Sequence, residues 1–128
     1  MRWLRNQAMT GGEGKKKEIE KLRKAVQKFQ KQQQIDNLLV TLSDQGVLTS
    51  GHGEHVHIPA VKREITDVSG AGDTVIAVAA ICLIAGLSPA EVAAVSNLAG
   101  GQVCEKAGVV PISREKLLEE CNQHFKSQ

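Results

Sequence analysis

The 128-residue sequence is almost without aromatic side chains: it has no tyrosine, and Trp3, Phe29 and Phe125 make up the whole set. Single-strand nucleic-acid binders stack bases on aromatic platforms, so this scarcity argues against nucleic acid as a partner. Cysteine is sparse too. Cys82, Cys104 and Cys121 are too widely spaced for a disulfide framework or a zinc site, and they suit a reducing cytoplasm. Long hydrophobic runs are also missing. Val75 to Leu87 is broken by Gly86 and is too short for a bilayer, and "MRWLRNQAMTGG" has no apolar signal core, so a soluble intracellular protein is expected, with no membrane partner. The histidines of "HGEHVH" (His52, His55, His57) fall in a turn and a strand edge, and their loose spacing reads as solvent-facing side chains rather than a metal site.

What is present is a core. With 41% hydrophobic and 23% charged residues and a net charge of +2, the chain has the composition of one globular domain. Charge is unevenly placed: the first 34 residues carry ten Lys/Arg against three acidic groups, the remainder six against eleven. Lys15, Lys16, Lys17, Lys21, Lys24, Lys28 and Lys31 are spaced as the wet face of a helix, a better account of them than a nucleic-acid-binding arm.

Residues 1–14 have no periodicity and contain three glycines, which predicts a loose lead-in. From Lys15 to Gln33, Ile19, Leu22, Ala25, Val26 and Phe29 recur at helical spacing. Leu38 to Leu42 is a continuous apolar run, the pattern of a strand buried on both faces in a parallel or mixed sheet. "SDQG" breaks it, and Val47–Thr49 and Val56–Ala60 follow as an antiparallel ribbon at the sheet edge. A helix after Gly72 ends at Gly86. Ser88, Pro89 and Glu91 form a capping box for the next helix, which runs to about Lys106, and Ser113 caps a last one with Leu117, Leu118 and Cys121 inward. One buried strand and a ribbon cannot cover these helices. The sheet must be completed by a missing N-terminal part of the protein or by partner chains, self-association into a homo-oligomer included.

The chemistry concentrates in "ITDVSGAGDTVIAVAA", Ile65 to Ala80. Gly70 and Gly72 permit close backbone approach, and the N–H groups of a helix's first turn carry partial positive charge, which together make an anion cradle. Asp73 stands at its mouth. A carboxylate beside a phosphate site is placed to take a proton from an attacking hydroxyl, although a plain helix cap would need the same residue. Gly100 and Gly101 inside a helix cost roughly 1 kcal/mol each relative to alanine, so something must approach closely there.

The run "DVSGAGDT" resembles the second signature of the PfkB-type, ribokinase-like carbohydrate kinases, and "VIAVAAICLIAG" is similar to the helix that follows it in them. Upstream, "LLVTLSDQGVL" resembles their nucleotide-contacting strand and turn, with Ser43 where glycine is common. Downstream, "SNLAGGQVCEKAGVVPI" resembles the helix and loop of their adenine pocket. The wording "VSGAGDT" with "CEKAGVVPI" is closest to the heptose-phosphate kinase branch. The resemblance covers residues 18–128, with residues 15–128 as the nucleotide-binding C-terminal part.

It implies an α/β chain, the C-terminal portion of a three-layer α/β/α fold. It further implies Asp73 as catalytic base, Gly70, Ala71 and Gly72 as anion hole, and Thr41, Ser43, Gly46 and Asn97 as nucleotide contacts, with Asp67 and Thr66 placing sugar or metal-bound water. ATP with Mg²⁺ and a sugar or sugar-phosphate substrate follow, while no metal-ligand cluster is visible in the segment. Two other readings remain. A dinucleotide-binding module would need the full G-x-G-x-x-G fingerprint, which is missing. A non-catalytic nucleotide-binding or assembly module is consistent with a chain that lacks the sugar half and is inactive alone.

Overall fold

The computed structural model describes residues 12–61 and 63–127, and the chain divides into two compact units between Ile35 and Asp36. The first contains one helix, α1 (Gly12–Gln33). Of the expected lead-in, residues 1–11 lie outside the described residues, while Gly12 to Gly14 belong to the helix. Glu13 in its first turn complements the helix dipole there. Leu22 and Val26 are the buried members of the apolar stripe, and all seven lysines of the wet face are exposed. The helix stops without glycine: left-handed Gln34 lets its N–H reach Lys31 O and that of Ile35 reach Gln30 O.

The second unit holds a sheet of three strands, β1 (Asn37–Thr41), β2 (Val47–Gly51) and β3 (Glu54–Ile58), in the order β1-β2-β3. Both pairings are antiparallel, Asn37 opposite Gly51 and Thr41 opposite Val47, then Val47 opposite Ile58 and Gly51 opposite Glu54. This corrects two expectations. The described strands form no parallel pair, because turns this short can only return the chain antiparallel. The fully buried strand is β2, not Leu38–Leu42: β2 has a neighbour on each side, whereas β1 is an edge and only partly buried.

A single 3₁₀ turn, Ser43–Gln45, joins β1 to β2. Gly46 closes it at φ 91°, where a side chain would overlap the carbonyl of Ile58 and come within 2.7 Å of Ala60 N. The β2–β3 turn is the two-residue His52-Gly53, with φ of 50° and 79°, the left-handed pair that matches strand twist in a hairpin. The other two histidines are not solvent-facing. His55 Nδ1 lies 2.7 Å from Ser50 Oγ, and His57 Nε2 donates to Gln45 O at 2.7 Å.

Three helices follow: α2 (Ala71–Ile84), α3 (Pro89–Cys104) and α4 (Arg114–Lys126). Gly86, at φ 86°, ends α2 with Gly86 N–H bonded to Leu83 O and Leu87 N–H to Cys82 O. The Ser88–Glu91 capping box forms with Pro89 in the first turn. Helix α3 is the central element, packed against β2, β3, α2 and α4. Its small residues allow that: Ala93 and Ala99 are fully enclosed, and Val78, Ala79, Cys82, Val92 and Ala99 form one core cluster, Val47, Val75 and Ala93 another. Two buried polar side chains on and against α3 are bonded. Thr49 Oγ1 donates to Pro89 O at 3.0 Å, and the Gln102 amide both accepts from Ser113 N–H and donates to Ser113 O, which ties the cap of α4 to α3. Ser113 caps α4 as expected, and Leu117 turns to the core; Leu118, expected inward, is 56% exposed because the face of α4 at 117, 120, 121 and 124 is the one that turns in.

Two substitutions in the β1–β2 turn separate its constraints. Gly46→Ala is expected to lower stability by about 3 kcal/mol or more, since the new methyl meets backbone that cannot move aside. Ser43, at φ 56°, carries the smaller strain of a side chain in the left-handed region, and Ser43→Gly should be neutral or raise stability by up to about 1 kcal/mol. Urea denaturation of both variants checks the contrast, and an equally stable Gly46→Ala protein would refute it.

Candidate phosphoryl-transfer site

The turn that opens α2 is built from its glycines. Gly70 caps the helix at φ 75°, ψ 0°, a left-handed conformation, and its Cα side faces Val109, whose Cγ1 would lie 3.2 Å from any added Cβ. Ala71 N–H donates to Val68 O at 3.3 Å and Thr74 N–H to Gly70 O at 3.0 Å, which folds the turn tightly. Gly72 opens onto empty space, with nothing within 4 Å of where a Cβ would be. Like the first N–H groups of any helix, those of Gly72 and Asp73 have no acceptor within the helix. Asp73 lies in this first turn and is exposed. Helix dipole, open glycine and carboxylate therefore coincide at one exposed end of α2, an arrangement suited to an anion beside a proton acceptor.

Segment 63–70 fixes that end in place. Arg63, with 6% of its side chain exposed, donates through Nη1 to Glu105 and Glu120, both at 2.8 Å, and through Nη2 to Glu120 at 3.0 Å and Leu98 O at 3.3 Å. The hydrogen bonds it donates to Glu120 and, after the opposing effect of burial, to Glu105 hold the guanidinium charged above even its ordinary range. Lys116 also pairs with Glu105. Further along, the N–H groups of Thr66 and Asp67 donate to Cys104 O at 2.8 and 3.2 Å and so close the end of α3. The Asp67 carboxylate accepts from Ser69 N–H at 2.9 Å, Ser69 Oγ at 2.7 Å and Gly108 N–H at 2.8 Å. Both its oxygens accept from the chain, which gives Asp67 a structural task in this turn.

The remaining expected residues gather on the other flank of α3. Asn97 Nδ2 donates to Pro59 O at 2.9 Å and the side chain is buried, while Gly46 packs closely against Ile58–Ala60. These two residues therefore meet at one short segment. Thr41 and Ser43 are exposed at the end of β1 and in the turn after it. No bond joins this group to Asp73 directly, but α3 bridges them: one turn after Asn97, Gly100 receives α2, where a Cβ would lie 2.5 Å from Val75 Cγ2 and 3.7 Å from Ala71 O. The close approaches that helical glycines imply are thus α2 at Gly100 and the Arg63 side chain at Gly101. Arg63, Glu105 and Glu120 themselves escaped the sequence reading, since an ion cluster assembled from three segments has no local pattern. The cost of Gly101 inside a helix was its one visible trace.

No group of three or more His, Cys, Asp or Glu among the described residues is arranged to hold a metal ion. The donors at the turn, backbone N–H groups in front of open space, suit phosphate oxygens. Among the described residues no helix is long and apolar enough to cross a membrane.

The carboxylates of this region set a pH response. Ser69, through its hydroxyl and then its N–H, and Gly108 hold Asp67 below the usual carboxylate range, and Lys116 with Arg63 does the same for Glu105. A depressed folded-state pKa stabilises above the unfolded value and loses that contribution as pH falls through the folded one. The melting temperature should therefore hold near neutrality and fall below about pH 4. Asp67→Asn should melt lower at pH 7 but show a shallower acid decline, and an unchanged acid slope would show that Asp67 is not coupled to folding.

The model of the pfkB family carbohydrate kinases matches residues 6–116. The bifunctional protein HldE of Shewanella piezotolerans is 40% identical over 111 residues, 86% of this chain and 22% of that protein. Among solved structures, Thermotoga maritima ribokinase superposes with a TM-score of 0.70 at 27% identity, over 78% of this chain and 34% of its own. Arabidopsis thaliana ribokinase, solved with ribose and ATP, superposes at 0.61 with 24% identity, over 67% and 29%. This chain thus spans about a fifth of its curated relatives and about a third of the similar solved chains. With a family match across most of its length and a ribokinase-like α/β fold around an open Gly70–Asp73 turn, the chain belongs to the pfkB family of carbohydrate kinases.

Proposed function

We propose that this chain supplies the nucleotide site and the catalytic base for ATP-dependent phosphoryl transfer to a hydroxyl of a sugar or sugar phosphate. The observation that carries the reading is the end of α2, where an open glycine turn and the exposed Asp73 share one helical turn. The sugar-binding part belongs to the rest of the kinase, and residues 15–128 form the nucleotide-binding portion. The likeness to HldE supports the heptose-phosphate branch that the sequence resembles.

In this reading Asp73 accepts the proton of the attacking hydroxyl as its oxygen bonds to the γ-phosphorus; the bond to the β-phosphate oxygen breaks and ADP leaves. The N–H groups of Gly70, Ala71 and Gly72 hold the charge that builds on the transferred phosphoryl oxygens, Ala71 giving up its 3.3 Å bond to Val68 O to do so. Thr41, Ser43, Gly46 and Asn97 line the nucleotide, Gly46 through its backbone and Asn97 by fixing the Pro59 segment. Mg²⁺, carried on the nucleotide phosphates, supplies charge neutralisation. A second reading, a nucleotide-binding or assembly module with no activity by itself, is favoured by the share of its relatives that this chain spans.

Two measurements test this. Calorimetric titration of the folded chain with ATP and Mg²⁺ should give weak binding, and no heat would remove nucleotide binding from the isolated chain. In a complete kinase carrying this sequence, Asp73→Asn keeps size and capping ability but loses the base, so sugar-dependent turnover should fall about 10²- to 10⁴-fold with ATP affinity little changed. A fully active Asp73→Asn enzyme would sink the catalytic assignment.

A further inference from the structure

His57 stands on β3, outside the residues placed at the nucleotide, yet its side chain reaches the turn between β1 and β2. That turn closes much of its backbone on itself: Leu42 N–H donates to Gly46 O at 2.8 Å, Gln45 N–H to Leu42 O at 3.0 Å and Gly46 N–H to Ser43 O at 3.2 Å. Gln45 O instead accepts from a side chain, His57 Nε2 at 2.7 Å. A carbonyl has no proton to give, so Nε2 carries one, and a neutral His57 ring is thereby fixed in that tautomer. The other histidine of the strand, His55, meets Ser50 of β2 and has no such hold on the turn.

The shape of the turn depends on being held. Ser43 and Gly46 both have positive φ, 56° and 91°, and for a side-chain-bearing residue such as Ser43 that conformation persists only where its surroundings impose it. The fastening is all at the far end of the turn. Gln45 is tied by His57, and Gly46 lies against the backbone of Ile58–Ala60, whose Pro59 O is in turn held from α3 by Asn97. Thr41 and Ser43, the two hydroxyl-bearing residues, remain exposed. A turn ordered before its ligand arrives spares the ligand the cost of ordering it.

We infer that His57 is a positioning residue for the nucleotide: by donating to Gln45 O it presets the Thr41–Gly46 turn in the form that receives ATP, without touching ATP itself. The inference rests on the nucleotide role proposed above for that turn and is independent of Asp73. His57→Leu keeps a side chain of similar bulk but leaves Gln45 O without this donor, and the loss of one such hydrogen bond should weaken ATP binding about three- to tenfold. His57→Gln places an amide nitrogen near the position of Nε2 and should restore most of the affinity. His55→Leu, on the same strand but bonded away from the turn, should leave it unchanged.

The test is calorimetric titration of ATP with Mg²⁺ into a complete kinase carrying this sequence, unaltered and with each of the three substitutions, alongside the melting temperature of each protein without nucleotide. Affinity should fall in His57→Leu and recover in His57→Gln, whatever the melting temperatures do. A side chain that serves folding alone would lower the melting temperature of His57→Leu and leave the affinity of the folded protein as it was, which would overturn the proposal. A loss that His57→Gln fails to restore, or that His55→Leu reproduces, would overturn it too. Should His57→Leu not fold, His57→Asn, whose amide stops short of Gln45 O, takes its place. An unaltered kinase that binds no ATP refutes the nucleotide site and this proposal with it, whereas ATP binding indifferent to His57 refutes the positioning role alone.

Discussion

Arg63 is the point on which the second unit turns. Its guanidinium gathers the α3 carbonyl of Leu98, Glu105 just past α3 and Glu120 of α4 around one segment between β3 and α2. A buried cation is stable only when paired, here through Nη1 and Nη2, and losing it would leave two carboxylates facing each other in a confined space. Everything downstream inherits that registration. Thr66 and Asp67 can then close the end of α3 through Cys104 O, Asp67 can reach Gly108, and Gly70 can turn left-handed beneath Val109. The residues proposed to do chemistry are few, and the segment that leads to them is held by an ion cluster.

Helix α3 transmits this order across the unit. Its buried small residues let α2 and the sheet approach from different directions, and Asn97 and Gly100, three residues apart, serve two different neighbours. The Gly70–Asp73 turn and the Pro59 segment are thereby held on the same element. A site assembled in this way tolerates little change in the spacer, because a methyl group at Gly100 would push against Val75 and displace the turn that Asp73 shares.

One side of the second unit is apolar. An uncharged edge strand, an apolar groove and a helix without a polar face lie side by side, while the opposite edge is guarded. Such a surface is costly in water, and its concentration on one side distinguishes a face meant for covering from scattered exposed residues.

Local chemistry was legible in the sequence. Ser88, Pro89 and Glu91 specify their cap, Gly86 and Ser113 their helix ends, and "VSGAGDT" its turn, because each depends on atoms within a few residues. The family resemblance rested on the same local runs. What depended on distant partners was not legible. The run Leu38–Leu42 has the hydrophobicity of a central strand, yet β2 took that place because turns on both sides gave it two neighbours. Leu118 and Leu117 are identical in type, and only the rotation of α4 against the core decides which is buried. Sequence by itself determined where elements begin, end and turn, since backbone angles and capping hydrogen bonds are short-range. Tertiary structure alone decided which strand is central and which carboxylates meet Arg63, since those energies exist only once segments some 40 to 60 residues apart are in contact.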